Sequence, residues 1–335
     1  MSLTDDDLGR RLRAADPART PHDAPLTASH LALRDRITTT GRAPAETTPT
    51  PHRGRWPLFA LPAAAAMIVA LFLAWTLLPS NTPPAAAALT PDPLVYTSTP
   101  STLEEVVRMS QEKLAAGTSP ATTAERGASW TGWYLHIDNA DVATSALIRP
   151  QDVICVWNAD GSGTITTLAG TPYWAEDNTV ALDTREAPEP GSVISTLPFD
   201  AAQAPAADPQ GDTPADMRTL LTSFGLPDGA SGGDVIENTR AALSWWNLTD
   251  AQHGALLSLL IETEDATVLG TTTDRAGRPV IGIAGTPSAD AQTRHILLVS
   301  TQTGRIVGVE TTRTEALPPI PAGAVVSYTL WGTDE

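Results

Sequence analysis

Three rhythms of apolar residues follow one another along the chain: an unbroken run, a helical spacing and a strict alternation. The unbroken run is PLFALPAAAAMIVALFLAWTLLP, residues 57–79, which carries no charge. From Leu58 to Leu78 it holds 21 residues. As a helix at ~1.5 Å per residue this is about 31 Å, enough to cross the hydrocarbon core of a bilayer. Trp56 and Trp75 stand where aromatic rings are favoured at membrane interfaces. Pro57 falls in the first turn, where its missing N–H costs little, and Pro62 predicts a kink or tilt. Arg53 and Arg55 flank the run on its N-terminal side, and the first charge beyond its other end is Asp92. The positive-inside rule therefore places residues 1–56 in the cytoplasm and residues 80–335 outside. Both the run and the leader before it are too long for a cleaved signal peptide, so an uncleaved single-pass anchor in the cell membrane is expected.

Helical spacing marks two short stretches of the leader. TDDDLGRRLRAA offers Thr4 as an N-cap and acids in the first turn, with Leu8 and Leu12 on one face and Arg10, Arg11 and Arg13 around the rest. LTASHLALRDRI puts Leu26, His30, Leu33 and Ile37 at helical positions. Two such helices are too little to bury a core. If the leader folds against a cytoplasmic partner, Leu8, Leu12, Leu33 and Ile37 supply the apolar contacts, and Arg10 and Arg11 steer toward an acidic surface. The plainer alternative is a solvated leader that only sets topology.

Beyond a Pro/Ala tether at 80–93, the outer chain divides into residues 94–185, a Pro-rich surface connection at 186–212, and residues 213–335. STLEEVVRMSQEKLAAG predicts a helix with Ser101 and Glu104 as a capping box, a stripe of Val106, Val107, Ser110 and Leu114, and a stop at Gly117. Strand-like runs follow: SWTGWYLHID, VATSALI, DVICVWN and TITTL. Past the connection, TPADMRTLL (Thr213 cap, Pro214, Asp216), GGDVIENTRAALSWW and LTDAQHGALLSLLIE (Thr249 and Gln252) predict helices. The remainder alternates: ATVLGTTT, PVIGIAG, RHILLVS, RIVGVETTR and VVSYTLW. Short connections between these runs predict antiparallel neighbours. Helices followed by an antiparallel meander give an α+β fold.

Charge sharpens this division. There are nine Arg against seven acidic residues before residue 57, and 12 basic against 31 acidic residues from residue 80 onward. An outer surface so acidic repels nucleic acid and anionic headgroups, so neither is an expected partner of that part. The single cysteine, Cys155, excludes an internal disulfide and a Cys-rich zinc site, and its place in an alternating run predicts a buried, inert thiol.

Several motifs invite chemistry and do not deliver it. NADGSGTIT, residues 158–166, matches the first half of a calcium loop. Position twelve is Ala169 rather than Glu, and the flanks alternate, so the stretch reads as a β-hairpin with a glycine-rich tip. GASGG, residues 229–233, fits a nucleophile-elbow pattern, but LPD precedes it and no strand does, which places Ser231 in a loop between helices. SQEK, residues 110–113, fits S-x-x-K, yet Lys113 is the only lysine and the companion K-T-G is absent. The six histidines show no ligand spacing. No catalytic residue, metal site or cofactor is expected, and the chain reads as a non-enzyme.

A resemblance spans nearly the whole chain. It rests on the leader DDLGRRLRAADPA, the apolar run, the tip WNADGSG, the segment DATVLGTTTDRAGRPVIGIA, and RHILLVSTQTGRIVGVET followed by PAGAVVSYTLW. On these pieces the chain resembles a family, with no settled activity, of anti-sigma-factor-like single-pass membrane proteins of high-GC Gram-positive bacteria. The resemblance implies an extracytoplasmic-function sigma factor as cytoplasmic partner and an outer domain that senses. One departure is that the leader lacks the H-x-x-x-C-x-x-C zinc motif of many anti-sigma factors, so a sigma factor would be held by a metal-free helical segment. A looser resemblance is to periplasmic lipoprotein-carrier folds, half-barrels whose apolar face holds acyl chains. It implies an outer-face binding module for a lipid or other apolar ligand, with Trp130, Trp133, Trp157 and Trp174 lining the groove. The alternative for these four is ordinary core packing.

Overall fold

Alternation of apolar residues from both sides of the Pro-rich connection builds one sheet. The computed structural model describes residues 89–117, 125–135, 147–175, 178–181, 187–205, 208–318 and 320–333. The leader helices, with Leu8, Arg10, Arg11, Leu12, Leu33 and Ile37, and the apolar run at 57–79 lie outside the described residues. Among the described residues no helix is long and apolar enough to cross a membrane.

In chain order the elements are α1 (Leu103–Ala115), β1 (Glu125–Arg126), β2 (Ala128–Tyr134), β3 (Leu147–Ile148), β4 (Gln151–Trp157), β5 (Gly163–Ala169), β6 (Tyr173–Trp174) and β7 (Val193–Phe199). They continue with α2 (Pro214–Ser223), α3 (Gly232–Leu243), β8 (Trp246–Asn247), α4 (Asp250–Ile261), β9 (Thr267–Thr273), β10 (Pro279–Gly285), β11 (Thr293–Ser300), β12 (Ile306–Arg313) and β13 (Val325–Trp331). The protein is α+β. Nine strands form an antiparallel sheet in the order β7-β5-β4-β2-β13-β12-β11-β10-β9, and β1-β8 and β3-β6 form two small ribbons.

The meander β9 to β13 follows the sequence pattern strand for strand. At its end β13 pairs with β2, Trp331 opposite Trp130 and Ser327 opposite Tyr134, so the earlier strands continue the same sheet. The connection expected over 186–212 is not only a surface link, because it contains β7. That strand is half-exposed on both faces, so its periodicity is hidden among prolines, and pairing with β5 settles it.

All four helices among the described residues begin with reciprocal capping boxes. Thr213, Thr249 and Ser231 cap as single residues, Ser231 binding Asp234 instead of presenting a nucleophile. The α1 box sits one residue later than Ser101–Glu104. Thr102 approaches in extended conformation (φ −76°, ψ 167°) and exchanges bonds with Glu105, and Val106, Val107, Ser110 and Leu114 remain the buried stripe.

The helices cover one face of the sheet. Val107, Met217, Leu221, Ile236, Leu257 and Leu260 meet strand residues Val153, Ile283, Leu297, Val299, Val309 and Trp331 in one core. Cys155 lies in it, and burial pushes its thiol up to about 12, which fits an inert role. A second, smaller core on the opposite face contains Trp133, Val280, Ile296, Leu298, Tyr328 and Leu330, with Leu94 and Tyr96 packed against it.

Candidate functional site

The sheet face opposite the helices is only partly covered. On one side lies the incoming segment Pro93–Thr97, and on the other the β6 region with Tyr173 and Val180. Between them runs a groove of about 1120 Å³, floored by Thr131, Tyr328 and Leu330 and bordered by Thr271–Thr273 at β9. Alternation along the strands dictates this lining. Tyr328 and Leu330 of β13 face the groove, while Trp331 faces the helices.

One ion pair anchors the groove wall. Arg275, in the β9–β10 turn, donates from Nε to Glu310 Oε1 at 2.6 Å and from Nη2 to the carbonyl of Asp92 at 2.7 Å. Its guanidinium stands 5.1 Å from the ring centre of Tyr328, which stacks on Trp133 at 6.2 Å. Glu310 is 1% exposed, and its second oxygen has no hydrogen-bond partner among the described residues. Burial pushes its carboxyl above the usual range against the opposing pull of Arg275. The Tyr96 hydroxyl is likewise buried without a partner among the described residues, and burial followed by the Glu310 charge raises its pKa. Burying the Tyr96 ring contributes about 1.5–3 kcal/mol. Leaving a buried hydroxyl unpaired costs about 1–3 kcal/mol. The two nearly cancel, so this anchor holds weakly.

At the far end of the groove, Thr131 donates to Asp152 at 2.6 Å and lies 3.3 Å from the Thr333 hydroxyl. Beyond it, Ile154, Val156 and Val193 leave an exposed apolar patch on the limb formed by β4, β5 and β7 (39%, 55% and 62% exposed). Register places all three on the groove side of the sheet, since Leu168 pairs with both Asp152 and Val193.

The four tryptophans read as a groove lining do not share a surface. Trp130 packs into the helix-side core, Trp133 faces the other way against Tyr328, and Trp174 sits in the separate β3-β6 ribbon. Trp157 belongs to an aromatic cluster on the helix side, 5.3 Å from Phe199 and 5.7 Å from both Trp245 and Trp246. Period-two alternation explains the split, because Trp130 and Trp133 are an odd number of residues apart. At this limb the space between helices and sheet is filled by indole rings.

A second polar cluster lies on the helix side. Arg240 of α3 grips Glu237 through Nε at 3.0 Å and through a second, shorter contact, and reaches the Tyr134 hydroxyl at 3.1 Å. His295 bonds Thr311 Oγ1 at 2.9 Å and stands 4.0 Å from Glu237. Burial holds His295 below its ordinary pKa, with Glu237 pulling the other way. These groups border a cavity of about 330 Å³, but the charges of Arg240 and Glu237 are spent on each other.

The arginines of D-x-x-G-R and T-G-R are staples. Asp274 accepts from the N–H groups of Ala276 and Arg278, both at 2.9 Å, while Gly277 takes φ +81°. Arg278 then donates to the carbonyls of Gly332 and Val307, tying the turn across the end of the sheet. Arg305 pairs with Asp250 and donates to the Leu248 carbonyl at 2.9 Å, beside buried His253. At NADGSG the hairpin is present. Asp160 accepts from the Ser162 amide and hydroxyl at 2.9 and 2.6 Å, so its carboxylate serves the turn.

Sequence reading passed over Arg275 and Glu310. Two glycines inside otherwise regular strands, Gly270 and Gly282, signal instead the close approach of Thr97 and of the Tyr96 ring.

No family model matches the chain, and no curated protein matches it by sequence. Among solved structures, the chain is similar to the complex of Pseudomonas aeruginosa MucA/MucB at 10% identity and TM-score 0.25, over 68% of this chain and 55% of that one. MucB in another crystal gives 13% identity and TM-score 0.25, over 67% and 56%. An outer-membrane lipoprotein-sorting protein domain from Vibrio parahaemolyticus gives 8% identity and TM-score 0.22, over 69% and 91%. The chain thus spans little more than half the length of the MucB chains. Likenesses this distant say nothing about activity.

Proposed function

We propose that this chain is a membrane-anchored, non-enzymatic regulator. Its outer domain, a carrier-like half-barrel, takes an extended ligand in the groove opposite the helices, and its cytoplasmic leader holds a partner protein. The observation that carries the reading is the groove itself: about 1120 Å³, walled by chain from both sides, with several of its polar groups paired. Arg275 is engaged by Glu310, Thr131 by Asp152 and Tyr173 by Tyr328. Such a surface offers shape and hydroxyls for binding, and no group primed for reaction. An extracytoplasmic-function sigma factor is the partner suggested by the family resemblance.

The test is affinity purification of the full chain in mild detergent, followed by mass spectrometry. The expected result is a cytoplasmic protein that is lost on deleting residues 1–45 and on Leu8→Asp or Leu12→Asp, with membrane insertion intact. Retention of that protein by both substituted chains overturns the leader's role.

The exposed patch of Ile154, Val156 and Val193 favours a second reading, an outer module for a lipid or other apolar ligand with a leader that only sets topology. It requires acyl chains in the organic extract of the purified protein, and an extract free of them rejects it.

A further inference from the structure

We propose that Leu94–Ser98 is a reversible strap, seated in a notch made by Gly270 and Gly282, and that its docking is coupled to occupancy of the groove it walls. This deepens the preceding reading and rests on that groove being the ligand site.

The notch is built into the sheet. Gly270 and Gly282 are direct cross-strand partners on β9 and β10. A Cβ at Gly270 would stand 2.1 Å from the carbonyl oxygen of Thr97, and one at Gly282 would stand 2.4 Å from Cε1 of Tyr96. Two adjacent strands therefore omit side chains at the one spot where the strap's backbone and its aromatic ring come down. Gly270 also takes φ +118°, which disfavours other residues there.

The seat is fitted, yet the hold is slight. Thr97 and Thr271 exchange two main-chain hydrogen bonds, at 2.8 and 2.9 Å, and Arg275 reaches the carbonyl of Asp92. Among the described residues these are the strap's only hydrogen bonds to the β9–β10 hairpin. A permanent tenth strand would pair along its length, whereas here pairing stops at one residue. Tyr96 brings an unpaired hydroxyl into the interior, and Val95 is 86% exposed. Docking thus rests on the partial burial of Leu94 and Tyr96 and a single paired residue, the balance expected of an element that opens without unfolding the rest.

Linkage then couples strap and ligand. Pro93, Leu94, Val95 and Thr97 form one wall of the groove, facing Tyr173 and Val180. A ligand filling it touches that wall only in the docked form, so it binds that form more tightly and raises its population.

Hydrogen exchange on the full chain in mild detergent tests the opening. The expected result is exchange at Thr97 about a hundredfold faster than in β11 and β12, the mark of a local opening. Tyr96→Ala should remove the remaining protection there while β11, β12 and the fluorescence of Trp157, Trp245 and Trp246 stay unchanged. Exchange of Thr97 in step with β11 and β12 overturns the strap. Regulation is tested by locking it. Thr97→Cys with Thr271→Cys joins a hydrogen-bonded pair, whose Cα atoms lie ~5.5 Å apart, within disulfide reach. The buried native Cys155 does not compete. Partner retention by the locked chain and by Tyr96→Ala should differ about fivefold or more. Equal retention overturns the coupling. A chain that captures no partner in any form instead removes the regulator reading, and the exchange data alone then decide the strap.

Discussion

Arg275 and Glu310 meet at 2.6 Å beside the ring of Tyr328, and this contact joins the β9–β10 turn to the centre of the sheet. Removing the cation by Arg275→Met leaves a buried carboxylate alone, which costs about 3–5 kcal/mol. The loss depends on pH. Glu310 has a raised pKa, so the stability it contributes is present below its unfolded value and is lost as pH rises through its folded one. Without Arg275 that rise is larger. The urea midpoint of Arg275→Met should therefore recover toward the wild-type value as pH falls toward the ordinary carboxylate range and Glu310 is protonated. A gap that does not change with pH would refute this coupling of the ion pair to Glu310 protonation.

His253 works in the opposite sense at higher pH. It is buried in α4 beside Arg305, and desolvation, then the Arg305 charge, holds its pKa well below 6.5. A depressed value means that stability is present above the unfolded pKa and is lost as pH falls below it. Wild-type stability should decline from about pH 6.5 downward, and His253→Gln should flatten that slope. Thermal midpoints at pH 7.5 and 5.5 for the two proteins decide it.

Two glycines separate the effect of space from that of backbone. At Gly163 a Cβ would lie 2.2 Å from Phe199 Cζ and 2.3 Å from the Val156 carbonyl oxygen. Gly191 has open space but φ +80°. Gly163→Ala should cost about 3 kcal/mol by overpacking. Gly191→Ala should cost only about 1–2 kcal/mol, the strain of a left-handed residue. Equal losses in chemical denaturation would refute the contact at the hairpin tip.

Arg278→Lys tests the staple. Lysine retains the charge but lacks the fork that spans the Asp274 carboxylate and the carbonyls of Val307 and Gly332. A loss of about 1–3 kcal/mol is expected, comparable to leaving buried carbonyls unpaired. A substitution within ~0.5 kcal/mol of wild type would show the guanidinium to be dispensable.

The meander and the helix caps were legible because local rules govern them. Thr213 and Thr249 announce their helices, and β10 to β13 alternate or run apolar between short turns. The whole sheet was not legible. The pairing of Trp331 with Trp130 joins residues 201 apart, and no local pattern encodes such a partnership. β7 was lost because an edge strand half-exposed on both faces carries little periodicity. The groove failed for a similar reason. Tryptophans catch the eye as ligand platforms, yet Trp130 and Trp157 pack into the core, and the groove is lined instead by threonines, two tyrosines, a few aliphatic residues and one arginine in a turn. Asp234 and Asp265 were equally obscure: each accepts backbone N–H groups across the contact between α3 and the end of β10, a duty no spacing reveals.

The place of β13 has a consequence for how the protein is made. It is the last of the described strands in sequence, yet it lies in the middle of the sheet, between β12 and β2. A nascent chain emerging in order presents β2, β4, β5 and β7 first, then β9 to β12, as two half-sheets with facing open edges. Neither half can close until Val325–Trp331 arrives to join them, so assembly is a late, all-or-none event. Val325–Trp331 is thus the seam of the sheet, because without it the edges of β2 and β12 would both stand open and sticky.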